Sequence, residues 1–585
     1  MFIRVLFLGS GFLLLFSCVE PLRTNEVDIT LTDFNPKEAK VGSEITISGT
    51  QLKLTEGTSR VMVFFGDERA KFVSLSQTAL VVEVPEIAEG LYDLRVEGSG
   101  TEELENDVVN MWDVKHVFED KFKVIPVGEE DDDDEEEELT PSTLDTSTQT
   151  VDRLVLEAGR SPELVARASA DHVRGFLEAT GSIFSSQLGV SAGDFESYVR
   201  SLTHDIAVYR YEYKTTYLEE DLVVSGVISV PLTAGNYPIL SHQNHTITSN
   251  RDAPSVVLDN HSKVISAPAD LLQVPSQAVA ALSSSLLSVY MAMAGLVVVI
   301  PDYIGFGSSR DKFHPYYLRD PTARTVVDGI LAAHELVDVL DDTIDSIQID
   351  ASKDLYLMGY SQGGFSTIAV QRFLRKTESG NLDLKMAVAG AGGYDLSFVG
   401  RDILARDMYT GPAFLAYLFL SYFKRYNLSE GDDPFLVTDL FQEPYASKLE
   451  SLFDPTLNLS IAQINTELGT DLSKLLNPDF RRGIQESTPE AQGPKVVRFL
   501  KLLEDNSLTD GWTPKAPLIL YHGEQDEVLP ISSSQRVFEV LNSLAPGKIS
   551  FNKIPKGLHA RIGVSVLVGG FVRNILPTVR ERIQN

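Results

Sequence analysis

The stretch from Asp354 to Gly364 constrains this chain more than any other. An apolar run, Leu355 to Met358, meets Gly359-Tyr360-Ser361-Gln362-Gly363 at once, and a helix-like stretch follows from Phe365 to Leu374. Strand, tight turn and helix with a serine at the apex is a layout that pushes the serine oxygen into the open. A turn that sharp has no room for Cβ atoms two residues either side of the serine, which is where Gly359 and Gly363 stand. The amide of Gln362 then falls beside the place where an oxyanion would form. Composition alone yields a G-x-S-x-G in roughly one chain in five of this length, so the rest of the chain must supply the partners such a serine needs.

The order of the surrounding segments predicts the fold class. Tyr209 to Tyr213 and Leu222 to Pro231 alternate as antiparallel strands do. Tyr237 to Ser241 reads as another strand. Gly295 to Asp302 is continuously apolar, as a parallel strand buried on both faces would be. Thr322 to Val339 has helical periodicity. After the serine turn come strands at Lys385 to Ala391, Pro517 to Tyr521 and Ile549 to Ile554, with a helix at Ser532 to Leu544. An antiparallel start followed by alternating β and α, with the serine after a middle strand, is the order of an α/β-hydrolase fold. Ser161 to Ala179 reads as a helix ahead of it. Strand alternation stops between Gly393 and Trp512, which predicts a helical cap at about 394–511 within a domain spanning 151–585. In that cap Pro412 to Phe423 is apolar nearly all round, either a buried helix or a wall of an acyl pocket.

A serine alcohol at neutral pH needs a base, and the base needs an orienting acid. Only His522 and His559 lie downstream of Ser361. His559 follows the last strand in a glycine-containing loop, at the edge where sites of open α/β sheets gather, and is the expected base. On charge alone Glu524, Asp526 and Glu527 are equal candidates for the acid. Tyr209 to Phe571 resembles the secreted α/β-hydrolase lipases and esterases, notably the fungal secretory lipase group. The resemblance rests on Pro301-Asp302-Tyr303-Ile304-Gly305-Phe306-Gly307, the Ser361 motif, Glu504-Asp505-Asn506-Ser507, Trp512-Thr513-Pro514-Lys515-Ala516-Pro517, and His522-Gly523-Glu524-Gln525-Asp526-Glu527-Val528-Leu529-Pro530. It implies Asp526 as the acid, His522 as a structural residue, and no cofactor. The expected oxyanion donors are the backbone amides of Gln362 and Thr246. Relatives usually carry His-Gly-Thr where this chain has Asn244-His245-Thr246, and the missing glycine makes Thr246 the weakest part of the reading. His242 and His245 have no carboxylate at ligand spacing, so no metal site is expected.

The remaining segments speak to location. Arg4 precedes an apolar run from Val5 to Phe16, too short for a membrane span and suited to a signal sequence. Cys18, the only cysteine, ends it in a way that resembles a bacterial lipoprotein signal (1–18); Phe16 is bulky for that pattern, so an unlipidated secretory signal is the alternative. The expectation is an exported protein, held at the outer membrane or cell surface by acyl chains on Cys18. Short alternating strands at roughly ten-residue spacing between 27 and 125 predict a β-sandwich. Phe34-Asn35-Pro36, Val41-Gly42, Ile45 to Gly49, Phe65-Gly66 and Val84-Pro85 resemble an immunoglobulin-like IPT/TIG domain, with Gly98 to Asn110 read as a loop-like insertion. Such a domain would be a spacer, or would bind carbohydrate or protein. Ten consecutive acidic residues, Glu129 to Glu138, mark 126–150 as an extended, solvated linker. A net charge of −33 argues against nucleic acid as a partner.

These features together point to a serine hydrolase of carboxylic esters, with lipids or ester-decorated glycans as substrates. A serine peptidase on the same fold is the nearest alternative, although the N-terminal part is too short for the propeller gate such enzymes often carry. A non-catalytic surface binding protein is the third, supported by the Asn244-His245 departure.

Overall fold

The computed structural model describes residues 23–125 and 153–584, leaving aside 27–29, 41–42, 51–59, 66–67, 76–78, 86–89, 105–107, 119–120, 157–161, 188–189, 261–283, 341–347, 377–381, 431–432 and 455–456. Cys18, the signal segment and the acidic linker lie outside the described residues. The chain divides into two compact units, on either side of Thr143.

The smaller unit is a β-sandwich. One sheet contains Thr30–Asn35, Glu44–Thr50, Lys71–Leu75 and Ala79–Glu83; another contains Arg60–Phe65, Leu94–Leu104 and Val108–Val117. Alternation fills the space between them with Phe34, Ile45, Ile47, Phe65, Leu80, Val82 and Phe122. The stretch expected to be a loop-like insertion is instead a long hairpin. Leu94–Leu104 and Val108–Val117 pair without interruption from Arg95↔Val117 to Leu104↔Val108, so backbone pairing continues past the polar and glycine positions that suggested a loop.

Nine described strands form the sheet of the larger unit: β1 (Glu163–Ala168), β2 (Ile206–Tyr217), β3 (Glu220–Pro231), β4 (Gly235–Gln243), β5 (Val297–Pro301), β6 (Ile349–Tyr360), β7 (Asp383–Gly390), β8 (Leu518–Gly523) and β9 (Ile549–Ile554). Their order across the sheet is β1-β2-β3-β5-β4-β6-β7-β8-β9. Pairing is antiparallel from β1 to β5 and parallel from β5 onward. Every residue of β5 is buried, as its unbroken apolar run requires of a strand covered on both faces. One face packs on α3 (Arg319–Leu340) and α4 (Gln362–Lys376), the other on α1 (Ala170–Gln187), α2 (Ala192–Ser201) and α9 (His559–Gly570).

Two expectations change here. Glu163–Ala168 is an edge strand paired with β2, and the helix begins only at Ala170. Ala166 and Ala168 are the buried positions of the strand, a two-residue period that serves a half-covered strand, whereas the helical reading took the stretch as one element. The strand before the presumed oxyanion loop also runs on past Ser241 to Gln243, pairing His242 with Met358 and Gln243 with Gly359. The connection from β7 to β8 carries the cap, including α5 (Leu396–Ala405), α6 (Pro412–Arg425) and α7 (Pro494–Asp505), and α8 (Ser532–Leu544) follows β8.

The Pro301–Gly307 segment acquires a structural reason. Asp302 is buried and accepts from the hydroxyls of Ser225 and Ser255, each at 2.5 Å, and from the Ser255 amide. That carboxylate fixes the loop leaving β5, which carries Tyr303 and leads to His314.

Candidate active site

Ser361 sits at the end of β6 with φ of 58°, a left-handed conformation that non-glycine residues adopt at a cost of about 1–3 kcal/mol. Close packing holds it there. A Cβ on Gly363 would collide with the carbonyl oxygen of Gln243, and one on Gly359 with that of Gly363. The Ser361 amide donates to the carbonyl of Gly390 at 2.8 Å, and the Ser361 carbonyl accepts from Phe365 as α4 begins. The serine is thus the corner between a central strand and a buried helix.

His559, the first residue of α9, places Nε2 2.9 Å from Oγ of Ser361 and Nδ1 2.7 Å from Oδ2 of Asp526. Asp526 lies in the turn after β8 with its side chain fully enclosed. Its Oδ1 accepts from the amides of Val528 and Leu529 at 3.0 and 2.8 Å. Burial by itself would raise its pKa; the hydrogen bonds from His522 and His559 outweigh that and hold the carboxyl well below the usual range. An ionised Asp526 only accepts, so the proton of His559 belongs on Nδ1 and the Nε2 lone pair faces the serine hydroxyl.

Two residues grip this arrangement without having been singled out for it. The Tyr360 hydroxyl donates to the His559 carbonyl at 2.8 Å, and Glu527 accepts from the His559 amide at 3.0 Å. Together with Asp526 and Ser361 they engage every polar atom of His559. His522 is buried beneath the turn, as expected, and does more than pack. Its Nδ1 lies 2.7 Å from the Ser534 hydroxyl, and its Nε2 lies 3.0 Å from the Leu529 carbonyl and 3.3 Å from Oδ2 of Asp526. The Leu529 carbonyl can only accept, so Nε2 carries the proton and also faces the carboxylate.

The segment expected to face the elbow does reach it. Its nearest atoms at Gly363 are the carbonyl oxygens of Gln243 and Asn244. Gln243 is locked by Ser241 and Thr367, and the Asn244 carbonyl accepts from the Tyr303 hydroxyl. The Thr246 side chain turns toward Tyr316, with their hydroxyls 2.9 Å apart. His245 keeps solvent access although protein surrounds it at longer range; that crowding, and then the neighbouring His559, lowers its pKa to about 4. Burial takes His242 to about 3. Both rings are neutral near pH 7.

A cavity with an empty volume of about 600 Å³ opens onto Ser361 beneath the cap. Leu396, Val399, Ile403 and Leu404 of α5, Phe414, Leu415 and Leu418 of α6, and Phe499 and Leu503 of α7 line it. The apolar cap helix is thus both a wall of this cavity and a buried helix, with Phe419, Leu420 and Tyr422 of α6 fully buried. Apart from Ser361, the polar atoms at this wall come from Tyr316, Tyr317, Tyr409 and the backbone. A second pocket, bordered by His314, Lys312, Lys424 and Asp311, is more polar.

Known structures similar to this chain share its fold. The rice cell wall degrading esterase LipA from Xanthomonas oryzae matches with a TM-score of 0.54 at 19% identity, over 74% of this chain and 98% of its own. A candidate hydrolase from Legionella pneumophila matches with a TM-score of 0.55 at 21% identity, over 73% of this chain and 98% of its own. The larger unit has the α/β-hydrolase fold. Residues 30–109 match the family model of the IPT/TIG domain, so a small TIG sandwich precedes that hydrolase-fold unit. No curated protein matches the chain by sequence.

Proposed function

We propose that this protein is an exported serine hydrolase of carboxylic esters that prefers an apolar acyl group. The observation that carries the reading is the continuous Ser361–His559–Asp526 hydrogen-bond chain opening onto an apolar cavity. The ester sits with its acyl group among the α5, α6 and α7 side chains. Ser361 Oγ attacks the carbonyl carbon while His559 Nε2 takes the hydroxyl proton, and Asp526 stabilises the resulting imidazolium. The carbonyl π-bond electrons move onto oxygen, where the Gln362 amide and a second amide, assigned to Thr246, donate to it; one such donor is worth about 3 kcal/mol. Collapse expels the alcohol with the proton from His559. Water then attacks the acyl-enzyme, giving its proton to His559, and the acid leaves as Ser361 is restored.

The likeness to LipA, a cell wall degrading esterase, supports esters over peptides as substrates, as does the near absence of polar groups along the cavity wall. The Cys18 signal supports a lipid-anchored protein at the outer membrane or cell surface, with the TIG unit as a spacer or as a binding module for carbohydrate or protein. Two experiments test these points. A fluorophosphonate probe should label the wild type and leave Ser361→Ala unlabelled, and p-nitrophenyl esters should be cleaved where peptide substrates are not. Hydrolysis confined to peptides, or a wild type that resists labelling, overturns the reading. Replacing Cys18 by Ala should move the protein from the membrane to the soluble fraction.

A further inference from the structure

The Gln362 side chain is buried, and its Nε2 lies 2.7 Å from Nε2 of His314, a residue 48 positions earlier. Nδ1 of the same ring lies 2.8 Å from the carbonyl oxygen of Ile304. A carbonyl only accepts, so Nδ1 carries the proton and Nε2 offers its lone pair. Gln362 must therefore turn its NH₂ toward His314, because the flipped amide would set oxygen against a lone pair. The arrangement leaves Oε1 of Gln362 buried without a partner among the described residues. The side-chain amide is thus held by one contact.

That contact is itself rigid. The His314 ring stacks on Tyr303 at 5.4 Å and 27°, and the rings of Phe306, Tyr316 and Tyr417 enclose it. Burial lowers its pKa to about 4, which keeps the Nε2 lone pair available near neutrality. The Ile304 carbonyl belongs to the loop that Asp302 anchors. On the other side, Gln362 opens α4, so its backbone amide has no partner within the helix and stands at the shoulder of the serine.

We propose that His314 is a positioning residue for the oxyanion site: by holding the Gln362 side chain it fixes the peptide plane between Ser361 and Gln362, and so aims the Gln362 amide at the oxyanion. This rests on the ester-hydrolase reading above. Oxyanion donors act on charge that develops only in the transition state, so a misaimed amide lowers kcat and leaves substrate binding almost unchanged.

The test is a kinetic cycle on the full chain with p-nitrophenyl butyrate. His314→Leu removes the acceptor, His314→Gln restores an acceptor near the position of Nε2, and Gln362→Met removes the donor. We expect His314→Leu to lose about tenfold in kcat with KM within about twofold. His314→Gln should recover most of that loss. The double variant His314→Leu, Gln362→Met should be no slower than Gln362→Met alone, because the two groups act in series. A trifluoromethyl ketone, which mimics the tetrahedral adduct, should weaken in parallel with kcat/KM. An additive loss in the double variant, a loss confined to KM, or a His314→Gln as slow as His314→Leu overturns the proposal. Should His314→Leu fail to fold, the other two variants decide: a slow Gln362→Met beside a nearly wild-type His314→Gln supports it, and a Gln362→Met at wild-type rate refutes it. A wild type without Ser361-dependent turnover refutes the ester-hydrolase reading instead, before any variant is compared.

Discussion

Replacing Asp526 by Asn probes the site most sharply, because the carboxylate faces four donors. Oδ1 receives the amides of Val528 and Leu529, and Oδ2 receives His559 Nδ1 at 2.7 Å and His522 Nε2 at 3.3 Å. An Asn offers one oxygen. The backbone amides are fixed by the turn and claim it, so the NH₂ group is set against His559 and His522. His559 relieves the clash by moving its proton to Nε2, where it donates toward Ser361 and accepts nothing. A wrong tautomer in intact geometry costs about 10⁴-fold in kcat for triads of this kind. That is about 5 kcal/mol of transition-state stabilisation, at 1.36 kcal/mol per decade. KM should change little, since Asp526 is enclosed and cannot touch the acyl group. The assay is kcat and KM on a p-nitrophenyl ester, normalised by active-site titration so that unfolded protein does not count as slow protein. Glu524→Gln and Glu527→Gln are the controls. Glu524 is exposed, and a Gln at 527 still offers an oxygen to the His559 amide, so each should stay within about tenfold of wild type. A D526N variant within tenfold of wild type, or either control slower than D526N, would refute the assignment of Asp526 and the reasoning behind it.

Three further outcomes follow from the structure. Tyr360→Phe strips the side-chain donor from the His559 carbonyl, which keeps its bond within α9; denaturant unfolding should show a loss of about 0.5–1.5 kcal/mol, with a lower kcat. A Cβ on Gly400 would stand 2.8 Å from Cδ1 of Leu503 at the cavity wall, so Gly400→Leu should fill the cavity and shift preference to shorter acyl groups. Each methylene excluded forfeits about 0.8 kcal/mol, or roughly fourfold in kcat/KM, which octanoate and butyrate esters would reveal. Acid should destabilise the fold early. His242 and His314 have folded pKa values of about 3 and 4, below the ordinary value of 6.5. The unfolded chain therefore takes up protons first, so stability is full above about pH 6.5 and falls as the pH drops toward 4. Thermal melts between pH 8 and 4.5 should show this, with a shallower fall for His314→Gln; a Tm independent of pH over that range would contradict it.

The legible parts of the sequence were those in which a local pattern has a single physical solution. Glycines at 359 and 363 signal a corner because Cβ atoms there would strike the backbone of Gln243 and Gly363. The β5 run signals burial on both faces. The position of His559 after β9 follows from strand order, whereas Asp526 stood apart from Glu524 and Glu527 only by the family resemblance; the structure joins Asp526 to His559 and His559 to Ser361. Other features had no such pattern. Glu163–Ala168 carries apolar residues that suit either period, and only pairing with β2 makes it a strand. Hairpin pairing through Gly98 to Asn110 is a property of two segments together, invisible in either one. His314 is separated from Gln362 by a helix and a strand, and nothing in its own neighbourhood announces that it meets the residue beside the nucleophile. Tyr360 and Glu527 sit next to residues that were singled out, yet their roles depend on where His559 arrives from the far end of the chain.

The cap has a consequence for how such a protein changes over time. Its cavity-lining helices, α5 to α7, come from one continuous insertion, Leu396 to Asp505, whereas Ser361 precedes that insertion and Asp526 and His559 follow it. On the proposed function, the groups that move protons and most of the walls that choose the acyl group are therefore written in separate stretches of chain. Substitutions, insertions or wholesale replacement within the inserted stretch can redraw the range of esters accepted while leaving the strand ends that hold the relay in place. Two descendants of such a protein could share the reaction and differ entirely in diet.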